Sequence, residues 1–95
     1  MATQKEIDAA VAACIKYEGF EAMFISRDDD IGMVTTVITA ADKGKNQSSV
    51  GRLKAGEAAL RAAAVASGRG GQLSDAMCTD IVTATLGAVA ALRGK

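Results

Sequence analysis

The sequence predicts a small α+β domain in the order α-β-β-α-α. One antiparallel β-hairpin would sit on three helices, the last two of them an antiparallel pair. Three observations lead there. Apolar spacing of helical period, with cap signals, recurs over residues 4–18, 48–67 and 74–93. Two runs rich in β-formers, "FEAMFISR" and "IGMVTTVITA", flank a short aspartate-rich segment. The 95 residues carry no internal repeat and read as one domain, 1–95.

Thr3-Gln4-Lys5-Glu6 fits a capping box, in which the threonine hydroxyl accepts from the third helical amide and the glutamate reaches back. Ile7, Ala10, Val11, Cys14 and Ile15 then recur on one face, and Gly19 suits a helix end. Phe20 to Arg27 and Ile31 to Ala40 are the predicted strands, with Asp28, Asp29 and Asp30 as a solvated hairpin turn. Both runs are apolar on each strand face, so one face should be covered by helices, and the other face, or an edge, is a candidate for pairing with another chain.

Residues 41–47 read as a polar connection. Ser48 or Ser49 caps the next helix, whose stripe of Val50, Leu53, Leu60 and Ala64 lies beside a broad alanine side. Glu57 and Arg61 have the favourable i,i+4 order. "SGRGGQ", residues 67–72, ends that helix. Ser74 caps the last one, Asp75 complements its dipole, and Leu73 with Cys78 has the spacing of a hydrophobic staple. Apolar positions cover about 200° of this helix, against roughly 100° or somewhat more for an ordinary surface helix. Such an arc implies burial on two sides, one of them another subunit. Ile81, Thr85, Ala88 and Leu92 are the candidate interface.

Composition narrows the chemistry. Lysine plus arginine and aspartate plus glutamate balance at eleven each, so the net charge is zero. That balance, with only Tyr17, Phe20 and Phe24 aromatic, argues against a nucleic-acid partner, which wants basic patches and stacking platforms. There is no histidine, which removes Ser-His-Asp and Cys-His catalysis and histidine-bearing zinc sites. Cys14 and Cys78 read as buried thiols of a reducing compartment, and no apolar leader precedes the first helix, so a cytoplasmic location is expected. The run 76–92 is interrupted by Asp80 and three threonines and does not read as a membrane span. The aspartate triplet lacks the ligand order of a calcium loop, and no metal or cofactor is expected.

One stretch could gather an anion. "DKGKNQSSVGRLKAG", residues 42–56, surrounds a helix start with cations but contains neither a Walker A loop nor a dinucleotide fingerprint. Lys43, Lys45, Ser48, Ser49, Arg52, Lys54 and, from a neighbouring subunit, Arg69 are the candidate anion ligands. The leading functional expectation is a non-enzymatic binding protein of the inhibitor or adaptor type, as phages and mobile elements encode. It would act as a homo-oligomer on a protein partner. One alternative is an oligomer that sequesters a phosphate-bearing small molecule, such as a nucleotide, between subunits. The other is an enzyme relying on carboxylates or lysine.

Overall fold

The computed structural model describes residues 3–16, 27–43, 48–66, 68, 71 and 73–94. Four helices account for nearly all of them: α1 (Gln4–Ile15), α2 (Arg27–Asp42), α3 (Ser49–Ala66) and α4 (Asp75–Arg93). No strand occurs among the described residues. The predicted α+β class is therefore wrong, and the architecture of the described residues is helical. Of the two predicted strands, the second lies wholly within α2, and most of the first, residues 20–26, lies outside the described residues. Residues 28–30, expected as a hairpin turn, form the first turn of α2.

The reason is visible in what α2 buries. Met33, Val34, Val37, Ile38 and Ala41 are each at most 4% exposed. Their spacing of i, i+1, i+4, i+5 and i+8 is one face of an α-helix. Read with a period of two, the same residues fall on both strand faces, which made the run look like a doubly apolar strand. Burying one continuous stripe outweighs the modest helix penalty of the β-branched Val, Ile and Thr side chains. Thr36 meets that cost partly by donating its hydroxyl to the Gly32 carbonyl at 2.8 Å.

The N-terminal caps of the other helices follow the sequence closely, whereas α1 ends at Ile15 with Lys16 as its C-cap, short of the expected residue 18, and Gly19 lies outside the described residues. The Glu6 amide donates to Thr3 Oγ1 at 3.2 Å, and the Thr3 amide donates to Glu6 Oε1 at 3.0 Å, completing the capping box. The Gly51 amide donates to Ser48 Oγ at 3.2 Å and the Met77 amide to Ser74 Oγ at 3.1 Å. Leu73 and Cys78 are both buried in one apolar cluster, as a staple requires.

Consecutive helices are neighbours, and α1 closes the ring against α4. The first turns of α1 and α3 and the last turns of α2 and α4 share one end, so the bundle runs up-down-up-down. The α3–α4 pairing is antiparallel: Arg61 meets Asp75, Glu57 meets Thr79 and Gly56 meets Val82. Gly56 is the tightest crossing. A Cβ there would stand 2.7 Å from one Val82 methyl and 3.2 Å from one Val37 methyl. Its missing side chain lets α3 approach α2 and α4 together.

The core forms two layers. Cys14, Met33, Val37, Leu60, Ala64, Leu73, Cys78, Ile81 and Val82 make one, with all four helices contributing. Ile7, Ala10, Val11, Val34, Ile38 and Val89 make the other, and α3 contributes none of them. The centre of the wide apolar arc of α4, Cys78, Ile81, Val82, Thr85 and Val89, is thus buried inside the chain, by α1 on one side and α3 on the other. Its buried hydroxyl is satisfied: Thr85 donates to the Ile81 carbonyl at 2.8 Å and lies 3.3 Å from the Cys14 sulfur.

Candidate functional site

The most organised polar cluster joins one end of all four helices. Arg93, in the last turn of α4, donates from Nε to Glu6 Oε2 at 2.6 Å. The two terminal nitrogens of the same guanidinium reach the two Asp42 carboxylate oxygens, each at 2.9 Å. Arg52, in the first turn of α3, donates to Asp42 Oδ1 at 3.3 Å and to the Ala41 carbonyl at 3.1 Å. Two carboxylates and two guanidiniums therefore neutralise one another. The fork-to-fork geometry between Arg93 and Asp42 is the strong form of this contact. Arg52 also caps the end of α2, whose terminal carbonyls carry partial negative charge.

These contacts fix the ionisation of the carboxylates. The hydrogen bond from Arg93, and secondarily the Thr3 amide, hold Glu6 below its ordinary pKa, although burial opposes them. Asp42 is held far below the carboxylate range, first by the Arg93 hydrogen bond. Asp42 in turn, with Glu6, pushes the Arg93 guanidinium higher. A carboxylate so tightly paired has no proton to give near neutrality, so the cluster is a clamp rather than an acid–base site. Cys78 is the other perturbed nucleophilic group. Burial raises its thiol pKa, which leaves it protonated and unreactive. Cys14 is likewise buried, and its thiol donates to the Ile81 carbonyl at 3.6 Å.

Of the candidate anion ligands, Lys43, Ser48 and Arg52 lie near one end of the bundle, where α2 ends and α3 begins. Ser48 spends its hydroxyl on the cap, and Arg52 is turned toward Asp42. Lys43, in the turn after α2, and Lys54, in α3, are exposed. Lys45 and Arg69 lie outside the described residues, as does the side chain of Ser49. Among the described residues no cluster of His, Cys, Asp or Glu could hold a metal ion. Of the interface candidates, Ile81 and Thr85 are buried within the chain, Ala88 is half-buried and Leu92 is exposed. Glu57 and Arg61, suited to pair with each other, reach instead to Thr79 and Asp75 of α4.

Sequence reasoning did not single out the clamp. Glu6 was legible only as a cap, Arg93 only as a last-turn cation, and Asp42 only as part of a connection. Their meeting depends on helix order, which no local pattern encodes. It also did not find the open concavities. One, of about 340 Å³, runs along the α3–α4 seam and is lined by Arg52, Leu53, Thr83, Leu86, Gly87 and Ala90. Another, of about 320 Å³, lies between α2 and α3, with Thr35, Thr36, Thr39 and Lys43 in its wall. By length and composition α4 alone among the described helices is apolar enough to cross a membrane, at a mean hydropathy of 1.4. Here 28% of that apolar stretch is buried in the chain. Comparison with family models, curated proteins and solved structures finds no match.

Proposed function

We propose that the chain is a non-enzymatic binding protein that acts through protein–protein contacts as a homo-oligomer. The observation that carries this reading is the open groove between α3 and α4. Its lining is mostly apolar or small, with Leu53, Leu86, Gly87 and Ala90 beside Thr83. Val50, one turn before Leu53, is 60% exposed and extends the same apolar strip. A concave apolar strip on a helical seam is suited to receive side chains of another folded surface. The clamp supports the reading from the other direction, because its charges are spent on holding helix ends together.

The test is the mass in solution. Sedimentation equilibrium across the micromolar range is expected to give a species above the 9.7 kDa monomer. Thr83→Arg puts a bulky cation on the exposed groove wall and should return the protein to monomer with its helical content unchanged. A strict monomer throughout that range rules the reading out.

A further inference from the structure

We propose that two copies dock groove to groove about a two-fold axis near Thr83, with Lys54 of each copy facing the partner's Asp80. The proposal rests on the self-association reading and specifies its geometry.

The first argument is where the groove lies. In the core layer next to the clamp, α3 supplies no buried apolar residue, and Arg52 fastens it there instead. The seam is left open at that level, with Leu53 and Leu86 only half-buried. Gly87 and Ala90 keep the α4 wall low, and an added Cβ on Gly87 would meet nothing within 4 Å. Another helical ridge can therefore approach closely.

The second argument is charge. Along this seam most charged side chains already have partners: Arg52 has Asp42, Arg61 has Asp75, and Glu57 accepts from Thr79. Lys54 and Asp80 are exposed, and among the described residues neither makes an ion pair. Lys54 lies two turns before Arg61 on the α3 flank that borders α4. Asp80 lies one turn before Thr83 and two before Gly87, on the groove side of α4.

Register links the two. Because α3 and α4 run antiparallel, with Leu53 and Leu86 both lining the groove and Gly56 against Val82, Lys54 stands level with residues 84 and 85 of α4, within two residues of position 86. A two-fold axis at Thr83 carries position 80 onto the level of position 86. Each Lys54 then meets the partner's Asp80, and the interface is self-complementary, as a closed dimer requires. The surface needed is modest. A standard interface takes roughly 800 Å² from each partner, about one-seventh of the 5493 Å² this chain exposes. Two of four helices can supply it.

The experiment measures dimer dissociation at low ionic strength for wild type, Lys54→Glu, Asp80→Lys and the double reversal. Each single reversal places like charges across the axis twice and should weaken the dimer about tenfold or more. The double reversal should return it to within about threefold of wild type. Added salt should weaken the wild-type dimer but not the Lys54→Ala/Asp80→Ala variant. A monomeric wild type overturns both this proposal and the reading beneath it. A dimer that is indifferent to the single reversals, or not restored by the double, overturns the register alone.

Discussion

The two ends of the bundle are held together by different physics. At the end of Leu60, Ala64, Leu73 and Cys78, all four helices bury apolar side chains in one cluster. At the other end only three do, and the fourth helix is tied in by ion pairs through Arg52, Asp42, Arg93 and Glu6. Apolar contact is non-directional and insensitive to salt, whereas the clamp depends on geometry, ionisation and ionic strength. The apolar end should therefore set most of the stability. The clamp end should set how stability varies with conditions, and it leaves the seam open for a partner.

The largest test of this contrast is Leu60→Ala. Leu60 is fully buried, and its truncation should cost about 2–5 kcal/mol in chemical denaturation, equally at low and high salt. A strong salt dependence of that loss would break the distinction. Arg93→Met should cost less, about 1–3 kcal/mol, because the guanidinium is partly exposed although Glu6 is left buried without it. That loss should shrink as salt is added.

The same bonds predict an acid profile. Glu6 and Asp42 have folded pKa values below their ordinary 4.5 and 3.8. Their contribution is therefore present above those ordinary values and is lost as pH falls through the lower folded ones. Thermal melts should show wild-type stability declining below about pH 4.5. Arg93→Met should show a flatter profile over the same window. Leu60→Ala should keep the wild-type slope.

The smallest effects come from two mid-helix glycines, and they should differ in sign. Gly56→Ala drives a methyl into Val82 and Val37 and should destabilise by about 1–3 kcal/mol. Gly87→Ala meets open space and should stabilise by about 0.5–1 kcal/mol through helix propensity. If both substitutions destabilise alike, the α4 wall of the groove is less open than its geometry indicates.

Local features of this fold were legible because they are written in short-range chemistry. Thr3 with Glu6, Ser48 and Ser74 are caps that need only neighbours within one turn to be recognised. The identity of α2 was misread because β-propensity is a weak prior and tertiary burial overrode it. The decisive signal was present in Met33, Val34, Val37, Ile38 and Ala41, whose period is helical. The centre of the wide arc of α4 is covered by α1 and α3 of the same chain, a placement no local pattern gives. Nothing near Cys14 indicates that it will lie against Thr85. The clamp and the groove were not legible for the same reason, since each is assembled by helix order.

The Glu6–Arg93 contact also places a constraint on biosynthesis. Its partners are 87 positions apart in the chain. The apolar face of α1, with Ile7, Val11 and Cys14, docks largely on α4, which is made well after it. At roughly 5–20 residues per second, the first helix waits on the order of ten seconds for that surface. Until α4 has been made, α1 has mainly α2 to shelter against, so its apolar face stays vulnerable for that interval.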